Sequence, residues 1–291
     1  MNRLGWALAL NFGFAVIELI GGYLTNSVAI MSDAVHDFGD SISLALALVC
    51  EKYARRGSNR EYSYGLQRLS LLSALITGTV LVTGSCFVLA HAIPRILHPT
   101  TPNLNGMLGL SVLGVVVNGY AAFRMGAGKT MNEKVLTWHL LEDLLGWISI
   151  AVVSVVMRFV DLPILDPIMA ILVTLFILWG VTRNLRQTIR LFMQGSPTGI
   201  NVPDITKKIL EISSVEQVHD VHLWSLDGSS HVLTIHAVVS PETSVEKADH
   251  IRRNIRDLVK GVGNIHCTIE IESNTTECEQ RNCVPTLAST V

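Results

Sequence analysis

Residues 32–40 read SDAVHDFGD, three aspartates and a histidine inside an otherwise apolar run, NFGFAVIELIGGYLTNSVAIM before it and SISLALALVC after it. On a helix, residues four apart share a face, so His36 and Asp40 present an imidazole beside a carboxylate. About a hundred residues on, WHLLEDLLG repeats the arrangement with His139 and Asp143. Two helices of this kind supply two nitrogens and two carboxylate oxygens, a complete tetrahedral set for Zn²⁺, and two ionised carboxylates balance its charge. A lone ionisable residue in such a run often serves only helix packing. The same two residue types at the same spacing in two runs argue instead for a metal site on an ion pathway.

The ligand types narrow the ion. Mg²⁺ and Ca²⁺ take six or more oxygens and Cu⁺ takes sulfur, whereas two imidazoles with two carboxylates suit Zn²⁺ first, with Co²⁺, Cd²⁺, Ni²⁺ and Fe²⁺ admissible. Asp33, Asp37 and Glu142 lie close to the pairs in sequence. They either line an access route or sit in a wet vestibule near a helix end, and the sequence leaves both readings open. Imidazole binds metal only when neutral, so protons compete with metal near neutral pH. A site that alternates sides would therefore exchange metal for protons. The sequence contains no phosphate-binding glycine-lysine loop and no aspartyl-phosphate signature, which argues against ATP-driven pumping. It also lacks the His-Glu-x-x-His pair of a metalloprotease, so an enzyme is not expected.

The elements that must hold these residues are apolar runs long enough to cross a bilayer. They occur at about 4–25, 28–50, 69–97, 104–124, 135–160 and 164–185. Six spans put both ends of residues 1–196 on one side of the membrane. Of the basic residues before 197, Arg95 and Arg158 fall near one set of connections, and the others, Arg55, Arg56, Arg60, Lys129, Lys134, Arg183, Arg186 and Arg190 among them, near the opposite set. The positive-inside tendency then places both termini in the cytoplasm. With 49% hydrophobic and 16% charged residues and a mean hydropathy of +0.43, the chain is too apolar to be soluble throughout and too polar to be membrane throughout. Residues 1–196 carry a net +3 and residues 197–291 a net −5. The overall charge of −2 leaves no basic face for nucleic acid. Five cysteines at irregular spacing do not form a disulfide framework and fit a reducing compartment.

After GSPTG the period changes. VPDITKKILEIS reads as a short helix, QVHDVHLWSL and HVLTIHAVVS as strands joined at Asp227-Gly228, and SVEKADHIRRNIRDLV as an amphipathic helix. IHCTIEIE alternates, with Ile265, Cys267, Ile269 and Ile271 on one face and His266, Thr268, Glu270 and Glu272 on the other. Residues 197–273 are thus expected to form a ferredoxin-like α+β domain in α-β-β-α-β order. Residues 274–291 are expected to be a flexible tail, too polar to pack.

At this point the chain resembles the cation diffusion facilitators, and within them the bacterial zinc exporters. NSVAIMSDAVHDFGD, REYSYGLQR, WHLLEDLLG, LDPIMAILV and QGSP occur in that family's order, and the resemblance runs to about Ser273. It implies a homodimer of six-helix protomers with a central zinc site from the second and fifth spans, on residues matching His36, Asp40, His139 and Asp143. It also implies alternating access driven by proton antiport and a metallochaperone-like cytoplasmic domain. In many members that domain binds regulatory metal, and the matching positions here are His219, His236 and Glu272. Cys278 and Cys283 in the tail resemble cysteine pairs of some members, although a four-residue gap replaces the usual two.

Some family features are absent from the sequence. The connection ARRGSNREYSYG has no histidine, and GAGKTMNEK is short and basic rather than histidine-rich. The junction reads Met193-Gln194 where members often place an acid to pair with a basic residue such as Arg68. The expectation is a multi-pass exporter of Zn²⁺ from the cytoplasm, in a bacterial inner membrane, with divalent metal ions, protons, the lipid bilayer and a second copy as partners. Its rivals are a membrane-anchored metal sensor or scaffold, and a passive divalent-cation channel.

Overall fold

The computed structural model describes residues 3–54, 57–125 and 131–274. Six long helices come first: α1 (Arg3–Thr25), α2 (Val28–Ala54), α3 (Leu69–Leu97), α4 (Leu104–Met125), α5 (Met131–Phe159) and α6 (Leu165–Phe192). A smaller set follows: α7 (Val202–Leu210), β1 (Val215–Ser225), β2 (His231–Val239), α8 (Val245–Lys260) and β3 (Ile265–Ser273). The chain forms two compact units, residues 1–52 with 73–185, and residues 53–72 with 186–291.

A helix satisfies its own backbone, which is why apolar runs of this length adopt it in lipid. Four of the six, α1, α3, α4 and α6, contain stretches apolar and long enough to cross a membrane among the described residues. The other two, α2 and α5, are the helices that carry the His-x-x-x-Asp pairs. With 27 and 29 residues they are nonetheless as long as their neighbours.

Helix α2 lies among four partners. Asn11 of α1 donates to the Asp37 carbonyl at 3.0 Å and to Ser41 Oγ at 3.1 Å. Ser32 Oγ lies 2.8 Å from Thr174 Oγ1 of α6. Gly39 and Gly84 let α2 and α3 approach, since a Cβ on Gly39 would stand 2.2 Å from Leu81 and one on Gly84 2.3 Å from Val35. On the α5 side, Asp33 Oδ1 comes within 3.8 Å of where a Gly146 side chain would begin. Glycine also joins α4 to α5, because the fully buried Trp147 occupies the space over Gly114 that a Cβ would fill.

The start of α2 is held from outside its own sequence. Its first N–H groups have no intrahelical acceptor, and the buried Asp166 at the start of α6 supplies one. Asp166 Oδ2 accepts from Val28 N at 2.8 Å, while Oδ1 accepts from Ser27 Oγ at 2.5 Å and Ala29 N at 3.4 Å. The preceding turn, with Asn26 at φ 55°, is clamped by Arg95, whose guanidinium donates to the Asn26 carbonyl at 2.7 Å and side-chain oxygen at 2.6 Å. Asn103 N closes the same corner on the Thr25 carbonyl at 2.8 Å.

The second unit contains the α-β-β-α-β order expected from the sequence. Its sheet has three strands in the order β1-β2-β3, β1 antiparallel and β3 parallel to β2. The antiparallel pair turns at Asp227, whose Oδ1 accepts from Ser229 N at 2.8 Å and Ser230 N at 2.6 Å, with Gly228 at φ +96°. Helix α8 begins at Ser244, which caps Lys247 N, and buries Ile251, Ile255 and Val259 at four-residue intervals. These pack with Ile205 and Ile209 of α7 on Leu233, Ile235, Ala237 and Val239, every second residue of β2.

Replacing Asp166 by Ala removes the acceptor from the start of α2. It is expected to lower stability by about 2 kcal/mol, read as a lower thermal unfolding midpoint in detergent. Asp166→Asn keeps an acceptor oxygen and is expected to lose less.

Candidate metal sites in the helices and the sheet

Asp143 and the SDAVHDFGD segment are both drawn into the interior of the first unit. His36 Nε2 lies 3.4 Å from Asp40 Oδ2, one helical turn away, with both side chains about three-quarters buried. Asp143 is 5% exposed, Asp33 8% and Asp37 2%. His139 falls on α5, one turn before Asp143, and its side chain lies outside the described residues. Glu142 is exposed and so differs from the other two acids left open by the sequence, which point inward.

The side chains of α2 point two ways. His36 lines a small cavity with Ser32, Val35, Leu81, Ser85 and Thr174, between α2, α3 and α6. Its volume of about 10 Å³ is room for roughly one water. Asp33 and Asp37 instead face α1 and α5, where they meet an acid that sequence reasoning overlooked. Glu18, in the α1 stretch AVIELIGG, is 0% exposed. Asp33 and Asp143 act on it electrostatically, and Asp37 and the Trp147 indole are its polar neighbours. A single glutamate in an apolar run was the available signal. It was easy to pass over because it has no partner in its own helix.

In the sheet, the residues suggested by the resemblance do converge. His219 and His236 are direct cross-strand partners. The parallel register pairs His236 with Glu270 and so puts Glu272 two residues further along the same face of β3. Glu272 bridges the two imidazoles, Oε1 lying 2.6 Å from His236 Nδ1 and Oε2 3.3 Å from His219 Nε2. One ligand atom from each of the three lies within 4.8 Å of the others, the one such convergence among the described residues. All three side chains are at least 85% buried. Neither ring nitrogen of His219 makes a hydrogen bond of good geometry. Two imidazoles and a carboxylate with lone pairs available fit a divalent transition metal, a fourth position going to water or a further side chain.

A β-bulge shapes this site. The β1–β2 register shifts between His219 and His222, and Asp220 takes φ 49°. The bulge turns Asp220 towards the cluster: its Oδ2 stands 3.5 Å from His236 Nε2, and its Oδ1 2.8 Å from His222 Nε2. Sequence reasoning missed Asp220, because strict alternation directs it to the opposite face from His219. Cys267 is not part of the set. It packs against the core, and burial pushes its thiol up to about 11 despite Arg256 nearby. Cys278 and Cys283 lie outside the described residues.

Long apolar helices enclosing buried acids define a multi-pass integral membrane protein with a small α/β domain attached. The cation efflux transmembrane domain family matches residues 6–193, and the family of the cation efflux protein cytoplasmic domain matches residues 197–274. The chain therefore belongs to the cation efflux family, the cation diffusion facilitators, a family of membrane transporters. Its relatives include a cadmium, cobalt and zinc/H(+)-K(+) antiporter of Bacillus subtilis (strain 168), 32% identical over 90% of this chain and 85% of the relative. They also include the zinc transporter ZitB of Pectobacterium atrosepticum, 30% identical over 97% and 88%. A third is the metal cation efflux system protein CzcD of Cupriavidus metallidurans, 28% identical over 94% and 86%.

The raised Cys267 pKa has a direct consequence. Alkylation needs the thiolate, which forms here only as pH approaches 11 rather than the ordinary 9.0. In a variant retaining Cys267 as its single cysteine, the rate of alkylation at pH 8 is expected to be roughly 100-fold below that of a free cysteine and to rise steeply above pH 9.

Proposed function

We propose that this protein exports Zn²⁺ from the cytoplasm through an intramembrane His₂Asp₂ site of His36, Asp40, His139 and Asp143, by alternating access and proton antiport. The observation that carries the reading is the pair of His-x-x-x-Asp motifs on α2 and α5. Asp143 is buried and Asp40 about three-quarters buried, in apolar helices where a cation pathway accounts for them. The relatives' names, which include zinc, cadmium, cobalt and proton exchange, support the ion and the coupling; Co²⁺, Cd²⁺, Ni²⁺ and Fe²⁺ suit the same ligand set.

In this reading all six long helices span the membrane, residues 1–196 form the transport domain and residues 197–273 lie in the cytoplasm with both termini. The host is a bacterial inner membrane, and two copies associate, as the resemblance implies. Metal enters from the cytoplasmic side, where the acidic domain raises the local cation concentration. Each imidazole must release its proton before it binds metal, and protonation from the outer side then favours release. His219, His236 and Glu272 form a regulatory metal site, with Glu272 orienting both imidazoles. A metal there would tie β1, β2 and β3 together at one point. The sensor or scaffold reading is disfavoured by the buried acids of α2 and α5, which an anchor would not need.

In proteoliposomes, zinc uptake driven by a pH gradient is expected to saturate and to vanish with the gradient. Asp40→Ala and Asp143→Ala are each expected to reduce it by at least about tenfold, the equivalent of 1.4 kcal/mol of binding. Wild-type flux in these variants would refute the site, and gradient-independent, non-saturating flux would favour a channel. For the cytoplasmic site, metal titration of the full chain carrying His236→Ala is expected to show one equivalent fewer than the parent while transport continues.

A further inference from the structure

Glu18 has no role in the mechanism above, and its situation calls for one. Its side chain is completely buried and neither carboxylate oxygen accepts a hydrogen bond of good geometry. Burying a carboxylate without a donor or a counter-charge carries a large desolvation penalty. The neighbours aggravate it. Asp37, 2% exposed and with no hydrogen bond on Oδ1, stands beside Glu18, and Asp33 and Asp143 add their fields. Among the described residues no lysine, arginine or histidine acts on Glu18, and the nearby Trp147 indole approaches it without a hydrogen bond of good geometry.

The donor set here differs from that of the His-Asp pairs. Among the described residues it offers carboxylate oxygens and no imidazole nitrogen or sulfur. Two carboxylates are the usual protein share for a hard cation that keeps part of its water shell. For a transition metal, such a pair is a weaker holder than imidazole and carboxylate together. A position of this kind beside the ligands of α2 and α5 suits an ion in transit, because conduction needs several neighbouring sites, none of which holds too tightly.

We propose that Glu18 of α1 and Asp37 of α2 form a second, oxygen-only cation position on the ion route, adjacent to the transport ligands. The proposal rests on the reading of α2 and α5 as that route. Asp33 and Asp143 contribute field rather than direct ligation. Helix α1 thereby takes part in ion handling instead of serving only as a packing partner for α2.

Mn²⁺ is a suitable probe, since it favours oxygen ligands and its pulsed EPR spectrum reports coupling to imidazole ¹⁴N. In the full chain carrying His236→Ala, which removes the cytoplasmic set, a bound Mn²⁺ population without ¹⁴N coupling is expected. Glu18→Gln keeps the shape and removes the charge, and is expected to weaken that population at least tenfold; Asp37→Asn should do the same. His36→Ala should leave it in place. The proposal is overturned if all bound Mn²⁺ couples to nitrogen, or if Glu18→Gln and Asp37→Asn both titrate like the parent. Zinc affinity in Asp40→Asn reads out the His₂Asp₂ assignment separately: an unchanged value there would sink that assignment and leave the Mn²⁺ result to stand by itself.

Discussion

Negative charge confined in an apolar helical unit is the constraint on which the membrane part of this protein depends. Glu18, Asp33, Asp37 and Asp143 come from three different helices, and each is at least nine-tenths buried. In a medium of low dielectric, like charges so placed repel strongly and lack the water that would screen them. Acids held together in this way call for protons or cations to offset their charge. The same crowding explains why α2 and α5 need neighbouring helices to enclose them.

Holding such a cluster requires a fixed scaffold. Asp166 caps α2 from α6, Arg95 clamps the turn before it, and Asn11 and Ser32 tie α2 to α1 and α6. Small residues do the rest: Gly39 and Gly84 let α2 approach α3 closely enough for side chains to meet. In lipid there is little hydrophobic force between helices, so close packing and buried hydrogen bonds take over the task of holding them. The buried carboxylates of this unit thus serve two ends. Asp166 has donors on both oxygens and is structural, whereas neither oxygen of Glu18 accepts a hydrogen bond of good geometry.

Much of the architecture was legible beforehand. The apolar runs foretold all six long helices, although α6 continues to Phe192, seven residues past the expected end, and the change to period two foretold β3, where Ile265 to Ile271 face the core and His266 to Glu270 face out. Glu272 breaks the exposure pattern because it turns in to bridge His219 and His236. Asp220 was not legible, since a bulge adds a residue that alternation cannot anticipate. Nor was Glu18, whose partners sit on α2 and α5. Pattern rules describe neighbours within one element and are silent about neighbours across elements.

The sequence by itself determined which elements form and which carry chemistry, because hydrophobic period and His-x-x-x-Asp spacing are local properties of the chain. It also determined the family, through motifs kept in order along nearly the whole length. Only the tertiary structure decided which charged groups meet: that Glu142 turns out while Asp33 and Asp37 turn in, that Glu18 joins them, and that Glu272 holds two histidines from two strands. Side-chain encounters depend on how helices rotate and strands register against one another. Those are set by packing between distant segments, which no local spacing encodes.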